Sequence, residues 1–192
     1  LEGRATHVHD LGVHGDWLLS CSLDVPVRVW DRTSWACLRV VQTGHENGIW
    51  RMVEVGEWVV TSEFNGATFK VWDQQEWTCL KTVATGQGGL NSMTECGGVL
   101  VTGGSYGAIK LWEQGTWTCV RTLQGHTNWV RDLVVHGDWL LSGSADKTVR
   151  VWDRTSWECL RVVRTGHTNG VFSLAVHDGK LYCGGGRRDP TI

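Results

Sequence analysis

Three residues of the types used in nucleophilic catalysis lie close together in the sequence: His126, Ser142 and Asp146. A serine nucleophile, a histidine base and a carboxylate that orients the histidine make up a hydrolytic triad. Hydrolysis would also require donors that stabilise an oxyanion and a cleft that holds the substrate. The sequence shows no sign of either feature, so we predict no catalytic residues. The role of these three residues depends instead on how the chain is organised.

The seven cysteines are the other candidates for site chemistry. None belongs to a Cys-x-x-Cys pair, which is the spacing that many zinc sites use. An odd number of cysteines also argues against a complete set of disulfides within the chain. We therefore expect no metal site, no cofactor and a reducing compartment, either the cytoplasm or the nucleus.

Composition and charge narrow the class of protein. The formal net charge of −2 over 192 residues gives no indication of a nucleic-acid partner, so we consider nucleic-acid binding improbable on charge alone. No apolar run approaches the roughly 20 residues that a membrane-spanning helix needs, so we expect a soluble protein without a membrane span. The 13 Trp and the 25 Gly, against 2 Pro, favour short strands and tight turns that recur along the chain.

One segment, with the pattern basic–aliphatic–Trp–acidic, occurs four times in the sequence. Its tryptophans are spaced by 42, 40 and 40 residues, and a second Trp follows each of them five residues later. A Cys comes two residues after each second Trp, and a Gly-His or Gly-Gln pair closes each unit. The tryptophans of the repeated segment are Trp30, Trp72, Trp112 and Trp152.

A period of about 40 residues, with Gly-His near one end and Trp-Asp near the other, resembles the WD40 repeat. The resemblance covers essentially the whole chain and implies blades of four antiparallel strands arranged around a channel. Local patterns agree, since residues 148–152 alternate with a period of two and no unit has helical periodicity. We predict an all-β WD40 β-propeller fold in a single repeat domain, residues 1–192. Its four full blades lie at about 3–42, 43–84, 85–124 and 125–164, with about half of a fifth at 165–192.

The fifth unit leaves the closure of the propeller open. The segment from Asp189 to Ile192 aligns with the start of the third strand in the fourth unit, so only half of a blade is expected. The chain is then a piece of a longer protein, a ring completed by another copy, or a designed or minimal propeller. A half blade argues against simple closure by a second copy. A bare strand edge favours pairing with another chain, so we expect self-association through open blade edges.

The resemblance also gives the triad-like residues a structural role. In WD40 proteins the Gly-His histidine, a second-strand hydroxyl, a turn aspartate and the third-strand Trp form a hydrogen-bonded network. Such a network satisfies buried polar atoms and fixes a turn. In the fourth unit the matching residues are His126, Ser142, Asp146 and Trp152. The other units depart from this set, with Arg4 for His in the first, Asn65 for Asp in the second, Gln87 and Tyr106 for His and Asp in the third, and Cys183 for Ser in the fifth.

Partner-binding residues are expected on one face of the propeller. The resemblance places there the loops before the first strand and between the second and third strands. Loops on a rigid scaffold commonly carry binding residues, and Trp, Phe and Arg are typical of interface hot spots. Packing between blades is the alternative role for the tryptophans, and solvation is the alternative for the last two arginines. The predicted partner-binding residues are His9, Trp50, Phe64, Trp129, Arg131, Phe172, Arg187 and Arg188.

These features together predict a non-enzymatic scaffold or adaptor that binds peptides or domains of other proteins. One alternative is a recognition domain for RNA or acidic lipid headgroups. That function would need a clustered basic face, to which only Arg131, Arg187 and Arg188 contribute. Another alternative is the accessory propeller of a larger enzyme, such as a kinase or a ubiquitin ligase, because this fold does not determine one function.

Overall fold

The computed structural model describes residues 8–22 and 26–186, and all regular secondary structure in these ranges is β. No helix in this part of the chain is long and apolar enough to cross a membrane. The strands are β1 (Val8–His14), β2 (Trp17–Ser22), β3 (Val27–Asp31), β4 (Cys37–Val41), β5 (Ile49–Val55), β6 (Trp58–Glu63), β7 (Thr68–Asp73), β8 (Cys79–Ala84), β9 (Leu90–Glu95), β10 (Val99–Gly104), β11 (Ile109–Glu113), β12 (Cys119–Leu123), β13 (Val130–His136), β14 (Trp139–Ser144), β15 (Thr148–Asp153), β16 (Cys159–Arg164), β17 (Val171–His177) and β18 (Lys180–Gly185).

Each group of four consecutive strands forms one antiparallel sheet. Blade 1 is β1–β4, blade 2 is β5–β8, blade 3 is β9–β12 and blade 4 is β13–β16, while β17 and β18 form a two-stranded sheet, blade 5. The predicted all-β architecture is therefore confirmed: the described residues form four full four-stranded blades and two strands of a fifth. Contacts divide the chain into two compact units, residues 1–90 and 91–192.

In the first unit the core lies between blades 1 and 2. Alternate residues of β3 point inward, so Val27 and Val29 are buried while Arg28 between them is only half-buried. Trp72 of β7 and Trp77 of the turn after β7 belong to blade 2, and both pack in one hydrophobic cluster with these valines of blade 1. The third-strand Trp of one blade thus packs on the sheet of the blade before it.

The second unit repeats this packing. A cluster of buried residues joins Ile109 and Leu111 of blade 3 with Leu140 and Trp152 of blade 4. A smaller cluster joins blade 4 to blade 5 through residues that include Leu174. Because the same strand positions are buried in both units, the repeat in the sequence is also a repeat of the core.

A bulge in the first strand places one carboxylate between neighbouring blades. The β1–β2 register shifts before Asp10, whose Oδ1 accepts the N–H of Leu11 at 3.0 Å and whose Oδ2 accepts the N–H of Met52 in blade 2 at 2.9 Å. Burial raises the pKa of the Asp10 carboxyl, and the N–H of Met52 offsets part of that rise. In the second unit Asp132 accepts the N–H of Leu174 in blade 5 at 2.7 Å in the same way. These carboxylates fix the distance between adjacent first strands.

The turn between the third and fourth strands holds a tryptophan in the left-handed backbone region. In blade 1 the Asp31 carboxylate accepts the N–H groups of Thr33 and Ser34, and its carbonyl accepts the N–H of Trp35 at 2.8 Å. Trp35 has φ 58° and Trp77, at the same position in blade 2, has φ 57°. A bulky residue rarely adopts a positive φ, so the turn must impose it. Trp35 is 56% exposed, whereas Trp77 is only 8% exposed.

This difference in exposure predicts that replacing Trp77 lowers the free energy of unfolding more than replacing Trp35. Replacing Trp35 by Gly relieves a left-handed conformation that costs about 1–2 kcal/mol, so we expect its free energy of unfolding to stay within about 1 kcal/mol of wild type. Trp77→Gly gains the same relief but removes buried contacts worth about 3–5 kcal/mol, so its net loss should be about 2.5 kcal/mol. Urea unfolding followed by circular dichroism measures both. Equal losses in the two variants would contradict the packing described here.

Candidate partner-binding site

The four residues of the predicted network lie together in blade 4. Asp146 Oδ2 lies 2.7 Å from His126 Nδ1, and His126 Nε2 lies 2.7 Å from Ser142 Oγ. The indole N–H of Trp152 donates to the same Ser142 Oγ at 2.9 Å. The hydroxyl of Thr148 donates to Asp146 Oδ1 at 2.6 Å, a contact that the sequence analysis did not include. The result is a continuous chain of hydrogen bonds from the turn to the third strand.

Protonation states in this network follow from burial and from its partners. Burial lowers the pKa of His126, although Asp146 acts in the opposite direction, so the imidazole is neutral. Burial by itself would raise the pKa of Asp146, but hydrogen bonds from Thr148, His126 and the N–H of Thr127 hold it below its ordinary value. A neutral imidazole that donates from Nδ1 to the carboxylate must accept the Ser142 hydroxyl at Nε2. This assignment leaves every member paired.

Hydrolytic triads also link a carboxylate, an imidazole and a serine hydroxyl in this order, but in blade 4 the hydroxyl is buried. Ser142 has no exposed surface, and His126 is only 5% exposed. The Oγ of Ser142 also accepts the indole N–H of Trp152, so one of its lone pairs is already engaged. A substrate carbonyl has no path to this oxygen in the folded blade. The geometry therefore favours a structural network.

The indole–hydroxyl part of the network recurs in every complete blade. The donor is the third-strand Trp and the acceptor is a Ser or Thr of the second strand, at 2.8–2.9 Å. The pairs are Trp30 with Ser20, Trp72 with Thr61, Trp112 with Thr102, and Trp152 with Ser142. In blade 5, His167 Nε2 lies 3.4 Å from Cys183 Sγ, at the place of the hydroxyl.

Blade 2 replaces the missing aspartate in a way that the sequence analysis did not predict. His45 Nε2 lies 2.8 Å from Thr61 Oγ1, as in blade 4. Asn65 stands at the aspartate position, but the carboxylate of Glu63 accepts the backbone N–H of Asn47 at 2.8 Å and so holds the loop after the histidine. Burial, together with the charge of Lys70, lowers the pKa of His45 from 6.5 to about 4.

Three predicted partner-binding residues of the first unit form one aromatic cluster, which we call the His9–Trp50–Phe64 cluster. The rings of His9 and Trp50 have centroids 4.9 Å apart, and those of Trp50 and Phe64 are 5.1 Å apart. All three side chains are half-buried. His9 and Trp50 are each the second residue of a first strand, β1 and β5, so neighbouring blades bring them together.

Three predicted residues of the second unit form an arginine sandwich, consisting of Trp129, Arg131 and Phe172. The Arg131 guanidinium carbon lies 4.3 Å from the centroid of the Trp129 ring and 4.8 Å from that of Phe172. Trp129 is 38% exposed and Phe172 is 39% exposed. Arg131 and Phe172 are again the second residues of first strands, β13 and β17. The sandwich therefore makes a contact between blades and still has exposed ring surface.

Arg187 and Arg188 lie outside the described residues. Within residues 8–22 and 26–186, no group of three or more His, Cys, Asp or Glu side chains is arranged to hold a metal ion. The candidate binding residues are thus two separate side-chain clusters, one in each unit.

Comparison with known proteins agrees with this architecture. Residues 117–153, which contain the whole blade 4 network, match the family model of the WD domain, G-beta repeat. The chain therefore contains a WD40 repeat at these residues. WD40 repeat domains are in general non-enzymatic scaffolds that bind other proteins. No curated protein gives a significant match to the sequence.

Solved structures show the same fold. The crystal structure of the computationally designed Ika8 protein is similar to this chain with a TM-score of 0.80 and 24% identity, over 96% of this chain. The chain spans 57% of the length of that designed protein. Since 1327 chains of known structure match, the fold is widespread and does not select a specific partner.

The low pKa of His45 predicts a loss of stability in acid. Below pH 6.5 the unfolded chain protonates this histidine, while the folded chain leaves it neutral down to about pH 4. The unfolded state therefore binds more protons, and the free energy of unfolding should fall as the pH drops from 6.5 to 4. His126 contributes in the same direction because its pKa is also lowered. Urea unfolding at several pH values measures the slope.

Two variants separate the contribution of His45. His45→Gln introduces the residue that blade 3 already has at this position, Gln87, and should reduce the slope. His177→Gln changes a histidine whose side chain is 79% exposed and should leave the slope as it is. An unchanged slope in His45→Gln would show that His45 is not kept neutral by the fold.

Proposed function

We propose that this WD40 chain is a non-enzymatic interaction module that binds peptide segments or domains of other proteins. The observation that carries the proposal is the arginine sandwich. It joins Trp, Arg and Phe, the residue types whose large or forked side chains gain most when a partner removes them from water. Its two rings are still more than one-third exposed, at 38% and 39%, so they have surface left to bury.

The way the sandwich is held also supports binding. Arg131 and Phe172 lie on strands, and the carboxylate of Asp132 fixes those strands to each other through the N–H of Leu174. Side chains on rigid elements lose little conformational entropy when a ligand arrives. The His9–Trp50–Phe64 cluster has the same construction in the first unit and is proposed as a second contact area.

The test is a selection of ligands from a phage-displayed peptide library, followed by fluorescence anisotropy with the selected peptides. The variant Trp129→Ala/Arg131→Ala should weaken binding by about 30-fold or more, because a hot spot contributes at least about 2 kcal/mol. Trp139→Ala is the matched control. Trp139 is 48% exposed and begins β14, at the opposite end of the β13–β14 hairpin from Arg131. Thermal melting must first show that both variants fold like wild type.

Two outcomes would contradict the proposal. If the peptides still bind the double variant but lose affinity for Trp139→Ala, the opposite end of the blade is the binding surface. If no peptide is selected, but RNA or vesicles with acidic lipids bind with a steep dependence on salt, the chain is a recognition domain for polyanions. A protein ligand and a shallow salt dependence are expected.

A further inference from the structure

We propose that Arg131 is the receptor for one carboxylate, so that the peptide bound at the arginine sandwich presents an Asp or Glu side chain to it. This inference rests on the proposed function and adds the chemistry of the ligand. A cation between two partly exposed rings, without an anion of its own, points to an acidic group supplied from outside.

Arg131 has no carboxylate partner among the described residues, although two rings stack on its guanidinium. Its Nε is buried without a hydrogen-bond partner, and no ion pair in the described part of the chain involves its guanidinium. The adjacent carboxylate of Asp132 is engaged by the N–H groups of Leu133 and Leu174. The carboxylate of Asp146 is engaged by His126 and other donors of blade 4.

Five other arginines differ from Arg131 because their guanidinium groups donate hydrogen bonds, although the Nε of Arg150 is, like that of Arg131, buried without a partner. Several donate to backbone carbonyl oxygens at 2.6–3.1 Å, which satisfies part of the guanidinium. These residues are Arg32, Arg39, Arg121, Arg150 and Arg154. Buried polar groups normally have partners, and one that lacks a partner calls for an explanation. The Nη groups of Arg131 are not among the buried atoms, so they are the donors that a ligand can reach.

The sandwich suits a carboxylate. Ring faces attract the cation but do not take its N–H groups as ordinary hydrogen bonds, so the Nη donors remain available. The forked guanidinium matches the two oxygens of a carboxylate, and charge-assisted pairs of this kind are stronger than neutral hydrogen bonds. Among the described residues the sandwich contains one cation, which balances one carboxylate and not a phosphate dianion.

Nuclear magnetic resonance of the ¹⁵N-labelled full chain tests this directly. The probes are N-acetyl-glutamate N-methylamide and its neutral analogue, N-acetyl-glutamine N-methylamide. We expect the glutamate probe to shift the Arg131 Nε–H and Trp129 indole signals, with at least about tenfold higher affinity than the glutamine probe. Arg131→Gln should abolish this preference at the Trp129 signal. Arg161→Gln removes the same charge from the exposed β16 strand and should retain the preference.

Equal affinity of the two probes would overturn the inference, and so would a preference that survives in Arg131→Gln. A phosphoserine probe that binds more than tenfold tighter than the glutamate probe would overturn the assignment to a carboxylate. Failure of the proposed function is a separate result. Selected peptides that depend on Trp129 but need no acidic residue would retain the interaction module and overturn the carboxylate receptor. Specific binding of the glutamate probe, with no peptide ligand selected, would retain the carboxylate receptor and overturn the peptide-binding module.

Discussion

The hydrogen bond from the third-strand tryptophan to the second-strand hydroxyl is the interaction on which each blade depends. Its acceptor oxygens belong to residues such as Thr61, Thr102 and Ser142, which have no exposed surface. A buried hydroxyl and a buried indole N–H both need partners, and they satisfy each other at 2.8–2.9 Å. The ring of the same tryptophan packs on the preceding blade, as Trp72 and Trp152 show. One side chain therefore joins the strands of its own blade and its blade to the neighbour.

The position of the candidate site follows from this constraint. Once adjacent blades are held in register, the second residues of their first strands come into contact. His9 meets Trp50 in the first unit, and Arg131 meets Phe172 in the second. The bulge carboxylates of Asp10 and Asp132 hold these strands to each other by accepting an amide N–H from the next blade. The stacked side chains are thus placed by the scaffold before any ligand binds.

The strands could be predicted from the sequence because the same residue types recur at the same positions of each repeat unit. The spacing of the tryptophans and the other recurring residues carried the resemblance to the WD40 repeat, and that resemblance implied four-stranded blades. The members of the blade 4 network were identified in advance because all four stand at the family positions. Their contacts in the structure involve one further residue, Thr148, whose hydroxyl the family pattern does not specify.

Other features depend on geometry that a single sequence does not carry. The link from Asp132 to Leu174 requires a register shift of one residue and a neighbouring blade at the correct distance. Glu63 holds the loop after His45 in blade 2, where Asn65 stands at the aspartate position. This role could not be predicted because the sequence does not show where the Glu63 carboxylate lies. Trp129, Arg131 and Phe172 were predicted as separate partner-binding residues, but their stacking only follows from the contact between blades. Their binding role stays a prediction.

A double-mutant cycle between Ser142 and Trp152 tests the central interaction most directly. The free energy of unfolding is measured for wild type, Ser142→Ala, Trp152→Phe and the double variant. Ser142→Ala leaves the indole N–H without its acceptor, and Trp152→Phe removes that donor from Ser142 Oγ, which keeps His126 as its partner. Both single changes break the same hydrogen bond, so the two effects should not add. We predict a coupling energy of at least about 1 kcal/mol. Effects that add within about 0.3 kcal/mol would show that the indole–hydroxyl hydrogen bond does not hold the blade together.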